Sequence, residues 1–434
     1  MEAVNQSPQP KSTEPLRAAE PSSTAFINRT AQTFFSKVEE RRYAEGKNFF
    51  YFTPTLLPIF GMLYGGAPEE VKGDLKEFLH DDGSCDVHEA FGNWLKKDYQ
   101  SPEFFIAPIA WIIEKVSSLA SWLLPRYFPP TFSWKTETDT GILIAHRETA
   151  TIPEKTRAAL SHYCEDPVTF ATNGEATEKS NAWISERTQG AIQGLVPYVD
   201  ESNPLQLLLL AAASFKSNWV YPFDERRTFQ GRFNNSDATT ADVQMMELAI
   251  NDLRIAYHRI DGKYLRILEL PMHGDLAMYV VIDNNQGADV KKYLASEAFL
   301  DVLNRVDREE SPFKKTRSLT VLLPKIDLKD RVDILSELSD DPLIQKIQQA
   351  RWDGSLVETS DSRPSKITQM VSQTNLSLDE TGVKIKAATF TFCGLQSCPP
   401  TFYADKPFGL VLFDKKTKTI LGMGQMNNFS QVEK

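Results

Sequence analysis

Apolar residues recur at helical spacing in the first structured part of the chain. Phe26, Ile27, Ala31, Phe34, Phe35 and Val38 share one face and predict an amphipathic helix over residues 25–42. Residues 48–54 read as a short buried strand broken by Pro54, and 55–64 as an almost wholly apolar, buried helix stopped by Gly65, Gly66, Ala67 and Pro68. A charged helix follows over 69–79. Further along, 178–195 reads as a helix, and 205–219 is a continuous apolar run expected to be a strand buried on both faces. From Thr228 onward short strands dominate, at 229–233, 253–258, 265–270, 277–282, 318–323, 374–378, 409–413 and 420–426, with helical stretches at 288–306 and 331–338. No fixed-period repeat is present, so solenoids and propellers are excluded. Helices early and sheets late make the fold class α+β.

The most unusual pattern lies at 104–124. Ile109, Ile112, Val116, Leu119 and Leu123 share one helical face, with Glu114, Lys115, Ser117, Ser118 and Ser121 largely opposite. Crossing a bilayer takes ~20 apolar residues, and this stretch is interrupted by charge and bounded by Pro108 and Pro125. A docking helix between Ile109 and Leu124, packing on the core or a partner, fits better. Trp111 and Trp122 near its ends make membrane-surface contact the second reading, although its polar face lacks a Lys/Arg excess.

Composition narrows the partners. The 434 residues carry 48 basic and 58 acidic side chains, a net charge of −10 that argues against a nucleic-acid backbone as the main partner. Four cysteines, Cys85, Cys164, Cys393 and Cys398, are too few and scattered for a disulfide scaffold or a zinc site, so reduced thiols are expected; a local pairing of Cys393 with Cys398 is the alternative. Residues 1–24 are rich in Ser, Pro, Glu and Gln and read as a disordered leader rather than a secretory signal, which implies a cytoplasmic protein or one exported by another route.

One stretch, 380–408, has a divided character. From Val383 the residues alternate apolar and polar through Lys384, Ile385 and Lys386, as in a strand with one buried face. Gly394 to Pro400 cannot easily continue a central strand, because Pro399 and Pro400 donate no backbone hydrogen bond. A segment able to be loop or strand is a candidate switch.

Nothing in the sequence points to an enzyme. The six histidines sit singly, and neither a nucleophile elbow, a phosphate-cradling loop nor a dinucleotide fingerprint occurs. No cofactor and no metal are expected. Instead an ordered set of motifs runs along the chain: Asn181 with Trp183-Ile-Ser-Glu-Arg-Thr-Gln-Gly-Ala-Ile192, then Ala213-Ser-Phe-Lys-Ser-Asn-Trp219 with Pro222, Phe223 and Thr228, and Val243-Gln-Met-Met246. Leu268-Glu-Leu-Pro271, Leu323-Pro-Lys325 and Phe402-Tyr-Ala-Asp-Lys-Pro-Phe408 complete the set. In these residues and in this order the chain resembles one family, the serpins. The match runs over 25–426, with about 100–135 as an apolar insertion in a domain of 25–434.

The resemblance implies a single domain with three β-sheets, about nine helices and an exposed reactive-centre loop at 380–402 that is bait for a serine or cysteine protease. The expected species is a monomer. In inhibitory members the cleaved loop inserts into the central sheet and carries the tethered protease with it, drawing on strain stored in a metastable fold. By position the scissile bond is Gln396–Ser397. The hinge residues are Glu380, Gly382, Val383, Lys384, Ile385, Lys386, Ala387, Ala388 and Thr389; the family has small residues where this chain has Val383 to Lys386. The gate positions carry Thr53, Leu56, Ala211, Trp219 and Ser372, without the family's polar cluster. On insertion Val383, Ile385, Ala387 and Thr389 would face inward and both lysines outward, so no charge is buried. The resemblance thus implies a suicide-substrate protease inhibitor; the alternative is a non-inhibitory binding, chaperone or carrier protein of the same fold.

Overall fold

In the computed structural model the described residues are 22–96, 136–164, 166–284, 287, 289–359, 365–383 and 400–429. The first helix, Ser22–Ala44, buries Phe26, Ile27, Phe34, Phe35 and Val38, the face its periodicity predicts. Strand β1 (Phe49–Phe52) leads directly into the helix Thr53–Gly65, where Pro54 occupies the first turn and so removes no intrahelical hydrogen bond. Helices Glu69–Phe78 and Val87–Leu95 follow, the second capped by Asp86, which accepts from the amides of His88 and Glu89.

The rest of the chain alternates strands and short helices. It passes through β2 (Glu137–Arg147), β3 (Ala150–Thr151), helix Glu154–Leu160, β4 (Val168–Phe170), helix Asn173–Arg187 and β5 (Leu207–Asn218). Next come β6 (Phe229–Asn234), β7 (Thr240–Ile250), β8 (Arg254–Ile260), β9 (Lys263–Met272), β10 (Leu276–Asp283) and helices Val290–Leu294 and Glu297–Asn304. Strands β11 (Lys314–Lys315), β12 (Leu319–Pro324) and β13 (Ile326–Asp333) precede helices Ile334–Glu337 and Pro342–Gln349. The last strands are β14 (Glu358–Thr359), β15 (Val371–Leu378), β16 (Gly382–Val383), β17 (Thr401–Tyr403), β18 (Phe408–Asp414) and β19 (Thr419–Met426).

Three larger sheet systems result. One has seven strands in the order β1-β19-β18-β10-β9-β8-β11, and a second has four, β17-β12-β7-β6. The third is split: β16-β5-β2-β4 forms one part and β13-β15 the other. Strands β10, β18 and β19 are covered on both faces, and their almost unbroken apolar runs form the centre of the core.

Several expectations are corrected. The helix predicted at 178–195 spans Asn173–Arg187. It starts at the N-cap Thr172, which accepts from Glu175 N, while Glu175 reaches back to accept from Ala171 N. It ends because Gln189 and Gly190 take positive φ, at 51° and 78°. The 331–338 helix is the end of β13 plus a short helix capped by Asp333, and 288–306 is two helices, the second capped by Ser296. Strands β2, β7 and β13 were not foreseen; the polar centre of β13, Lys329-Asp-Arg331, conceals it, since that strand keeps one face in water. The 205–219 run is a strand but only half-buried over most of its length. The cause is the split in its sheet. The helix expected at 104–124 lies outside the described residues.

Candidate functional site

Along one side β5 pairs antiparallel with β2, from Glu137 opposite Lys216 to His146 opposite Leu207. Among the described residues its other edge bonds only to β16, with Gly382 opposite Asn218 and Val383 opposite Ser217. Strand β15 pairs with β13 over its whole length, Leu378 opposite Ile326 and Val371 opposite Asp333. At its end the chain reverses: Asp379 N donates to Gly382 O at 3.1 Å, and β16 starts back. Since β16 runs against both neighbours, β5 and β15 run parallel to each other. Between them lies a cleft of 1190 Å³, lined on its floor and walls by Leu56, Ile59, Leu209, Ala211, Ser372 and Thr374. Among the described residues no strand beyond β16 lies between these two facing edges, and such a pair of edges is a template for one more strand.

The reversal is held tightly. Three consecutive carbonyls are bound: Asp379 O by the Trp219 indole N–H at 2.9 Å, Glu380 O by Phe223 N at 2.8 Å, and Thr381 O by Trp219 N at 2.9 Å. The Asp379 carboxylate accepts from Thr381 N, Thr381 Oγ1 and Gly382 N, which closes the turn from within. Gly382 has φ of 148°, and a Cβ there would lie 2.4 Å from Ser217 O and 2.6 Å from Asn218 Cα. Only glycine fits this approach. Behind it, Thr136 Oγ1 and Ser217 Oγ both donate to His273 O, at 2.8 and 3.1 Å.

Glu380 is 3% exposed, and its carboxylate accepts from Lys325 Nζ at 2.7 Å and Thr228 Oγ1 at 2.6 Å. Burial alone would raise its pKa, but the hydrogen bonds from Lys325 and Thr228 outweigh burial and hold it below the ordinary glutamate value. A depressed folded-state pKa means that the ionised latch adds stability above the unfolded carboxyl pKa, which is lost as pH falls through the folded one. Glu380→Gln is therefore expected to cost about 1–2 kcal/mol at pH 7, the range for a charge-assisted hydrogen bond discounted for the partly exposed Lys325. Unfolding temperatures from pH 7 down to pH 3 check it: wild type should lose more stability on acidification than the variant, and parallel curves would refute the latch.

The far end of the loop is anchored separately. Strand β17 pairs parallel with β12, Thr401 opposite Thr320 and Tyr403 opposite Leu322, while Thr320 N donates to Pro400 O at 3.1 Å. Arg266 Nη1 donates to Thr401 O at 2.8 Å, and its guanidinium lies 5.3 Å from the centre of the Phe402 ring. The described chain is thus fixed on either side of residues 384–399.

Of the residues chosen from sequence, Leu56, Ala211 and Ser372 meet in the cleft, the last two on opposite walls. Trp219 stands apart at the cleft's end with Glu380 and Gly382, and Thr53 is buried beneath, donating to Ile420 O at 2.6 Å. Lys384, Ile385, Lys386, Ala387, Ala388, Thr389, Gln396 and Ser397 lie outside the described residues. Asp379, Lys325 and Thr228 were missed as site residues. Two of them belong to quoted motifs, but their convergence on the hinge exists only in space.

The sequence model of the family described as Serpin (serine protease inhibitor) matches residues 25–429. Plasminogen activator inhibitor 1 of Neovison vison is 27% identical over 248 residues, 57% of this chain and 60% of that protein. The same-named protein of Sus scrofa is 27% identical over 261 residues, 60% of this chain and 63% of that one. The alignments therefore span about three fifths of these relatives. Among solved structures, native protease nexin-1 with heparin superimposes with a TM-score of 0.64 at 16% identity, covering 93% of this chain and 99% of that one. Human glycosylated kallistatin gives 0.67 at 17%, covering 93% and 97%. With a family match over nearly its whole length and the same α+β architecture, the chain belongs to the serpin family.

Proposed function

We propose that the chain inhibits a serine or cysteine protease as a suicide substrate, with cleavage at Gln396–Ser397 followed by insertion of the freed segment between β5 and β15. The observation that carries this reading is β16. The first two residues of the segment are already paired with β5 at the mouth of an open cleft.

The two ladders agree on where the rest would go. Seven residues beyond Gly382, Thr389 falls opposite Ala211 on the β5 register; seven beyond the Asp379–Gly382 reversal, it falls opposite Ser372 on β15. On insertion two gate residues chosen from sequence would thus face one hinge residue. Val383, Ile385 and Ala387 would take the side of Phe215 and Leu376, which pack on the main core, and Lys384 and Lys386 would take the other. The alternative function is a binding, chaperone or carrier protein on the same fold, and the bulk of Val383 and Ile385 favours it by slowing entry.

A denaturing gel of the protein with a panel of proteases tests the proposal. A covalent complex that survives denaturation supports it; cleavage without one supports the alternative. Val383→Thr with Ile385→Ala should raise the trapped fraction severalfold if those side chains are the brake. An unchanged fraction would place the limit at the gate.

A further inference from the structure

The hairpin of β8 and β9 carries an exposed surface that the loop mechanism does not use. Its turn, Asp261-Gly262, has φ of 48° and 81°, the two positive values of a two-residue type I′ turn that suits a rigid hairpin. On one face Tyr257 stands opposite Arg266 and Arg259 opposite Tyr264, so each tyrosine is paired across the strands with an arginine. Tyr257 is 58% exposed and Tyr264 40%, two of the largest apolar side chains left in water among the described residues. The Arg259 guanidinium lies over the Tyr264 ring, 5.7 Å from its centre. The exposed cation of this face is Arg259, beside the turn; Lys263 lies on the opposite face and donates to Gly287 O at 2.8 Å, and the neighbouring Asp261 is already paired with Lys292 at 2.7 Å.

Position supplies the occupant. Arg266 belongs to this face and holds Thr401 O at 2.8 Å, the first residue of β17. Thr401 is four residues beyond Ser397, at most ~14 Å of extended chain. A protease domain of ~230 residues has a radius of gyration of ~17 Å. A protease of that size seated on the reactive bond, within that span of Thr401, comes within reach of the hairpin. Tyrosine and arginine are the residue types that concentrate binding energy at interfaces, and rigid display lowers the ordering cost.

We propose that the Tyr257–Arg259–Tyr264 face of this hairpin is a second contact surface for the protease that attacks the loop, and that it selects proteases carrying carboxylates beside the primed side of their cleft. The inference rests on the inhibitory reading above, and one experiment separates the two. The second-order rate constant for covalent complex formation is measured for wild type, Tyr257→Ala with Tyr264→Ala, Arg259→Glu, and Tyr198→Ala, an exposed tyrosine outside this hairpin. The patch variants should associate at least tenfold more slowly. Arg259→Glu should do so most strongly at low salt, since the charge acts on encounter. The trapped fraction, decided after acylation, should stay as in wild type, as should the rate for Tyr198→Ala and the unfolding temperature of every variant. Rates within twofold of wild type, with complex still formed, would overturn the second surface alone. Absence of any covalent complex across the panel would overturn the inhibitory reading and this inference with it.

Discussion

Cleavage at Gln396–Ser397 should raise the unfolding temperature by about 20 °C. From Val383 to Phe390 the freed segment would add a strand to both the β5 and β15 edges, giving about a dozen backbone hydrogen bonds of roughly 1 kcal/mol each. For a domain of this size each kcal/mol moves the unfolding midpoint by about 2 °C. Closing the cleft also buries apolar side chains such as Leu209 and Phe215 that now pack only partly on the core. One term opposes. On the shared register Lys384 falls directly opposite Lys216, and like charges across a ladder repel. The rise should therefore be larger at high salt than at low. Calorimetry before and after limited proteolysis measures it, and an unchanged midpoint would eliminate insertion and any trapping that depends on it.

Replacing Gly382 with valine should unseat the hinge. The side chain would drive into Ser217 O and Asn218 Cα and would occupy a φ of 148° that only glycine adopts without strain. Neither obstacle is a flexible side chain, so the clash cannot be relieved by a rotamer change. The bonds from Trp219 and Phe223 to the reversal should weaken together, at a cost of about 2–3 kcal/mol. Hydrogen exchange at residues 217–219 and 382–383 should accelerate, and complex formation with a target protease should fall at least tenfold. Protection equal to wild type would mean that β16 contributes nothing to the resting state.

Much of this arrangement was legible in the chain. The strand expected from Val383 begins with β16 at Gly382–Val383, and the chain is next described at Pro400 and β17; the rest of that expectation, over 384–399, falls outside the described residues. The helix Ser22–Ala44 and strands β12, β15, β18 and β19 followed from period alone, because long apolar stripes and buried runs leave little ambiguity. The apolar run of β5 predicted burial on both faces and meets an open edge instead. Its composition suits a filled cleft, in keeping with the proposed insertion.

The less legible parts share a cause. Glu380, Lys325 and Thr228 are separated by up to 152 positions, yet they form one hydrogen-bonded latch. Asp379 is an ordinary acidic residue until the turn it closes is placed beside Trp219. Nor did anything local mark Tyr257 and Tyr264 as a surface beside the loop's foot, since that depends on Arg266 reaching Thr401 from another sheet.

By itself the sequence determined which segments are helices or strands, which of them are covered and where a switch could lie, because periodicity, glycine and proline act over a few residues. The tertiary structure alone decided that β5 and β15 run parallel, and that among the described residues only β16 turns back between their facing edges. Strand direction and edge pairing depend on contacts between residues more than 150 positions apart, and no local pattern encodes those.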